Sequence, residues 1–170
     1  MLLRRLLSLS LILLALAGGI VCASVLRSGA KTDYILIEKS KHRLTLLFHG
    51  QVLKSYQISL GRHPVGPKLR EGDDRTPEGV YQIDYRLKRS AYHLALHISY
   101  PNRRDREKAR ILGAPPGGDI MIHGIGSAKK KVADLHPLFD WTNGCIAVTD
   151  HEIEEIWRLT PNGTVVNIQP

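Results

Sequence analysis

The sequence predicts one mostly β domain of the α+β class, a curled sheet or β-sandwich with one or two short helices. Three observations predict it. Short runs of alternating apolar residues, separated by Gly, Pro and Asn turns, recur from Tyr34 onward. Helix signals are confined to a charged stretch from Arg103 to Ile111 and a capped stretch after Thr149. With 170 residues, 43% of them hydrophobic, the chain suits a single core once its N-terminus is set aside, since domains commonly run to ~100–150 residues.

Residues 1–23 place Arg4 and Arg5 before a Leu-rich run, then Val21-Cys22-Ala23 before Ser24, the pattern of a secretory signal peptide. The run from Leu6 to Leu26 lies near the lower limit of the ~17–25 residues that span a bilayer, so an uncleaved N-terminal membrane anchor is the alternative. Bulky Val21 ahead of Cys22 disfavours a lipoprotein signal. Residues 24–32 form a polar linker, and the folded domain covers 33–169. Both fates put that domain outside the cytoplasmic membrane.

Tyr34 to Ile37, Leu44 to Phe48 and Val52 to Leu60 read as strands, the last two joined by His49-Gly50, a loop short enough for a tight hairpin. From Gly61 to Gly79 the sequence is polar, rich in Gly and Pro, and without apolar period, a long loop of the kind that carries function. Val80 to Ile83 is strand-like. In the next strand, His93 to Tyr100, His93 and His97 alternate with apolar residues, which predicts a solvent-facing side for both. Arg103 to Ile111 is a helix with a solvated basic face. Gly117-Gly118 leads to Ile120-Met121-Ile122, a short strand ending in His123. Thr149 and Glu152 have capping-box spacing, so a helix runs to about Leu159 with Ile153, Ile156 and Trp157 inward. Asn162-Gly163 then turns the chain into a last strand, Thr164 to Ile168.

The formal charge is +8, and loss of a leader containing Arg4 and Arg5 lowers it to +6, which favours anionic surroundings such as wall polymers or lipid head groups. Nucleic acid is not the expected partner, because no basic motif interleaved with aromatics appears. The run Lys129-Lys130-Lys131 reads as a solvated loop. If cleavage follows Ala23, Cys145 is the one remaining thiol and no intramolecular disulfide can form. A lone cysteine is either a small buried hydrophobe or a reactive group.

Its neighbours favour reactivity. Cys145 follows the polar turn Asp140-Trp141-Thr142-Asn143-Gly144 and precedes apolar Ile146-Ala147-Val148. A thiol with its usual pKa of ~8.5 needs a base to become a nucleophile at neutral pH, and His123-Gly124 supplies a candidate. Spacing alone does not decide the matter. However, Gly117 to Gly124 and Thr142 to Val148 resemble the two active-site motifs of YkuD-type L,D-transpeptidase domains, and Arg75-Thr76-Pro77-Glu78-Gly79-Val80-Tyr81 resembles a third hallmark. Ser99-Tyr100-Pro101-Asn102 and Asp140-Trp141-Thr142 are similar to the YafK-like branch. The resemblance covers about residues 33–169.

It implies a YkuD-like catalytic domain in the periplasm or cell envelope, tethered to the inner membrane if the leader stays. The expected substrate is the peptidoglycan stem peptide, and the expected species is a monomer without cofactor or metal. Cys145 would be the nucleophile and His123 the general base. Gly144, Asn143, Thr142 and Gly124 would shape the oxyanion and substrate site. Typical members read Ser-His-Gly-Cys-x-Arg, whereas this chain has Thr142-Asn143-Gly144-Cys145-Ile146-Ala147. The missing arginine removes a bidentate carboxylate ligand and opens a hydrolase alternative.

Other readings are weaker. A zinc site from His123, Cys145, His136 and an acid lacks paired Cys-x-x-Cys or His-x-x-x-His ligands. A glycosidase reading of Asp73, Asp74 and Glu78 puts all its acids in one polar loop. A non-catalytic wall-binding module is the remaining alternative. His63 and Lys68 are expected to be exposed or to touch substrate, and Trp141 to pack in the core beside the thiol or to stack on a stem.

Overall fold

The structure, a computed structural model, describes residues 29–127 and 136–170. The expected leader and the Lys129 to Lys131 run lie outside them. Among the described residues no helix is long and apolar enough to cross a membrane.

An antiparallel meander comes first: β1 (Tyr34–Glu38), a 3-10 turn (Lys39–Lys41), β2 (Arg43–Phe48) and β3 (Gln51–Gln57). At the hairpin His49 and Gly50 both have positive φ, 49° and 76°, the twist that matches two right-twisted strands. Next come β4 (Gly79–Ser90), β5 (His93–Ile98), α1 (Arg103–Ile111), β6 (Met121–His123), β7 (Ile146–Ala147), α2 (Asp150–Leu159) and β8 (Val165–Gln169). One eight-stranded sheet runs β3-β2-β1-β8-β4-β5-β6-β7. The fold is thus mostly β with two helices, as the sequence predicts.

The sheet curls because β4 changes partners along its length. Gly79 to Gln82 pairs with β8, whereas Ile83 to Ser90 pairs with β5, with register shifts on either side of Tyr85. The curl brings the two edges together: after β3 the chain bridges β7 at Ser59 and Ala147, and the turn before β7 at Gly61 and Thr142. Inside lie Ile35, Leu46, Ile83, Leu96, Ile122 and Ile146, all fully buried. At roughly 25 cal/mol per Å² of apolar surface removed from water, such side chains contribute ~1.5–3 kcal/mol each.

Both helices start on capping boxes, Asn102 with Asp105 and Thr149 with Glu152, which satisfy the first orphan amides. α2 lays Ile153 and Ile156 into the core. Trp157 packs against the core half-buried, with the Arg86 guanidinium 3.9 Å from its ring centre. His97 corrects the sequence reading. It is buried, with Nδ1 2.6 Å from Asp84 Oδ1 and its ring stacked 4.2 Å from Tyr85, so a polar partner on β4 compensates its loss of water.

Candidate active site

Cys145 leaves a tight turn and enters β7. Thr142 organises that turn, its hydroxyl donating to the Cys145 carbonyl at 2.7 Å and accepting the Gly144 N–H at 3.0 Å. The turn is fastened from outside as well: Thr142 N–H donates to the Leu60 carbonyl, and Arg62 N–H donates to the Thr142 carbonyl. Gly144 has φ of 125°, and a Cβ there would come within 2.6 Å of the Arg75 carbonyl oxygen. Glycine is required at this position by both conformation and space.

β6 and β7 are parallel, with Ile122 opposite Ile146 and His123 opposite Ala147. Because successive side chains alternate, Ile122 and Ile146 enter the core while Met121, His123 and Cys145 share the other face. That face opens on a cleft of about 490 Å³, lined by Cys145, His123, Arg62, Tyr92, Asp119, Trp141 and Asn143 among others.

His123 is 3% exposed. Its Nδ1 lies 2.5 Å from the Gly124 carbonyl, which can only accept, so Nδ1 carries the proton and Nε2 keeps its lone pair. Burial pushes the pKa down to about 4; nearby His136 lowers it too, while the Gly124 bond and Asp150 act the other way. The Cys145 thiol is pushed up, chiefly by burial and also by Asp119, while the Met121 amide and Lys68 oppose. Sγ lies 3.5 Å from the Asp119 carbonyl. At neutral pH the resting pair is therefore a neutral thiol and a neutral imidazole. Proton transfer has to accompany attack.

Three groups hold this histidine, and of them the sequence reading named only Trp141. Tyr92, on the β4–β5 turn, stacks on its ring at 4.4 Å, and Trp141 meets it edge-on at 5.8 Å. Asp150, the first residue of α2, accepts the Ile125 and Gly126 amides at 2.8 and 2.9 Å and so anchors the chain after β6. The capping pattern at Thr149 marks this helix start in the sequence, but the contact to residue 125 is non-local.

The other expected site residues take defined places. Thr142 and Gly144 shape the nucleophile turn. The Gly144 N–H is committed to Thr142, which corrects the expectation that this amide donates to the oxyanion; the Cys145 N–H has no partner among the described residues. Gly124 is buried outside the cleft lining and orients His123 through its carbonyl. Asn143 is exposed and accepts from Arg62 Nη2 at 2.7 Å. Lys68 is neither exposed nor in the cleft: it is buried against Asp73 at 2.8 Å. Asp73 is a loop organiser, not a solvated acid, accepting the Leu69, Arg70 and Arg75 amides. Trp141 is half-buried at the cleft wall. Among the described residues no three His, Cys, Asp or Glu side chains converge as metal ligands.

Comparison with known proteins matches residues 32–168 to the L,D-transpeptidase catalytic domain family, YkuD. YafK of Escherichia coli (strain K12), itself an unproven L,D-transpeptidase, is 32% identical over 143 residues, covering 81% of this chain and 50% of YafK. Among solved structures, the helical cell shape determining protein Pgp2 (K307A mutant) of Campylobacter jejuni superposes with TM-score 0.63 at 25% identity, covering 82% of this chain and 47% of Pgp2. Bd1075 of Bdellovibrio bacteriovorus gives 0.57 at 23%, covering 84% and 49%, and shares the fold. The chain thus spans about half the length of the relatives it matches. By family match, relative and fold together, the chain belongs to the YkuD family of L,D-transpeptidase catalytic domains.

Proposed function

We propose that this domain is a cysteine L,D-transpeptidase acting on peptidoglycan stem peptides through an acyl-enzyme on Cys145. One observation carries the reading: the thiol and a buried neutral imidazole share one face of the β6–β7 pair and one cleft. His123 Nε2 takes the thiol proton as Sγ attacks the carbonyl carbon of the L,D-peptide bond. The Cys145 N–H stabilises the resulting oxyanion, a contribution of the kind worth ~3–4 kcal/mol per donor. The C–N bond then breaks, the imidazolium proton goes to the leaving amine, and a thioester remains. An acceptor amine attacks the thioester, returns a proton through His123 to sulfur, and leaves with the acyl group.

A hydrolase is the second reading, favoured by Ala147, which stands fully buried where typical family members carry arginine. Water would then replace the amine. We further propose that residues 1–23 act as signal peptide or inner-membrane anchor and place the domain in the periplasm or cell envelope. A part in cell shape, the role named for Pgp2, belongs to the same proposal.

The test is mass analysis of defined muropeptides incubated with the protein. Native protein yields new products, and Cys145→Ala, still folded, yields none. Equal product from Cys145→Ala removes the cysteine mechanism.

A further inference from the structure

We propose that Arg62 holds a stem-peptide carboxylate in the cleft and so sets the direction in which the stem lies across Cys145; this rests on the functional reading above. Position 147 supplies no cation, since Ala147 is fully buried and exchanges both backbone hydrogen bonds with Ser59, at 2.9 and 3.0 Å. Arg62 is the one Lys or Arg that lines the cleft among the described residues. It comes from the opposite edge of the curled sheet, where the sequence pattern around the cysteine would not reveal it.

The side chain is built into place. Its N–H donates to the Thr142 carbonyl at 3.0 Å, and Gly61 before it bridges the same residue. Asp74 Oδ2 accepts from Nε and Nη2 at 3.2 and 3.0 Å, and Asn143 Oδ1 accepts from Nη2 at 2.7 Å. These bonds orient the guanidinium while Nη1 has no protein partner among the described residues. The side chain is 52% exposed and lines the cleft, so the Nη1 N–H groups are left for a ligand.

The charges on the two flanks are opposite. Arg62 lies beside the nucleophile turn on the edge bridged to Thr142, whereas exposed Asp119 lies on the β6 side, its carbonyl 3.5 Å from the thiol. A carboxylate is attracted to the first flank and repelled from the second. Because Asp74 already offsets part of the Arg62 charge, the gain is about tenfold in affinity, at the low end for a charge-assisted hydrogen bond. A stem carries carboxylates at its C-terminus and on its side chains, and the same donor group fits either kind.

Calorimetric binding to the full chain carrying Cys145→Ala separates them, because no turnover intervenes. Three synthetic tetrapeptide stems are titrated: unmodified, amidated at the C-terminus, and amidated on the side-chain carboxylate. The expected result is that one amidation weakens binding about tenfold and thereby identifies the carboxylate. Adding Arg62→Ala weakens the unmodified stem by the same factor without further weakening that amide, and Arg62→Lys recovers part of the loss. Amidations without effect, no measurable binding of the unmodified stem, or an Arg62→Ala loss equal for all three stems overturns the proposal; the last outcome marks Arg62 as a brace only. Carboxylate binding through Arg62 by a native chain that neither cleaves nor transfers stems overturns the functional reading and leaves this one standing.

Discussion

At the scale of single residues, the site depends on keeping two groups neutral. Burial disfavours the imidazolium of His123 and the thiolate of Cys145 alike, so neither is charged at rest. The pH dependence follows. A His123 base with pKa of about 4 is ready throughout the neutral range, so kcat/KM falls only as pH drops toward 4 and shows no break near 6.5. An acid limb centred near 6.5 would contradict this assignment. Stability has the same sign: the unfolded histidine binds its proton near 6.5 and the folded one only near 4, so stability falls as pH drops through that window, by roughly 3 kcal/mol for this group. His123→Ala should lower kcat by ~10²–10⁴, and it should flatten that part of the pH–stability curve in urea titrations. His123 and Cys145 were legible in the sequence because each sits in a short motif. Tyr92, Asp150 and Arg62 were not, because each reaches the site from a distant part of the chain.

At the scale of elements, local signals were legible and long-range compensation was not. The hairpin at His49-Gly50 and the Thr149 capping box are written in consecutive residues, and both formed as expected. β4 runs on to Ser90 because Asp84 to Ser90, too polar to read as a strand, is held by pairing with β5. The loop before β4 shows the same effect. Asp73 gathers Lys68 Nζ at 2.8 Å and three backbone amides, and although burial alone would raise its pKa, these donors hold it below the usual carboxylate range. Lys68 is 4% exposed, so Asp73→Ala strands a buried charge, a change that costs ~3–5 kcal/mol. The loop also presses the Asp74 carbonyl against Gly61 and the Arg75 carbonyl against Gly144, so its loss reaches the nucleophile turn. Asp73→Ala should lower the urea midpoint by that free energy and reduce muropeptide turnover in the same variant. An unchanged midpoint would show that the loop is held by other means.

At the scale of the whole domain, closure of the sheet decides what can reach the thioester. Joining Ser59 to Ala147 and Gly61 to Thr142 sets the cleft where the two sheet edges meet, and the packing of Gly126 against Ala91 and Tyr92 brings aromatic walls over the base. His123 lies beneath Tyr92 and beside Trp141, with 3% of its surface exposed. A water molecule needs that same imidazole to activate it, and the imidazole is buried beside two aromatic rings. An amine held in the cleft is already the stronger nucleophile and gains from being positioned. Transfer is therefore the expected outcome, even with Ala147 in place of an arginine. Disaccharide tetrapeptides incubated alone should give dimers with a new L,D bond, and added D-amino acids should replace the terminal D-alanine in proportion to their concentration. Mass analysis reads both products. If crosslinked muropeptides are instead cut to monomers and no dimer forms from tetrapeptide donors, water reaches the acyl-enzyme first and the domain is a hydrolase.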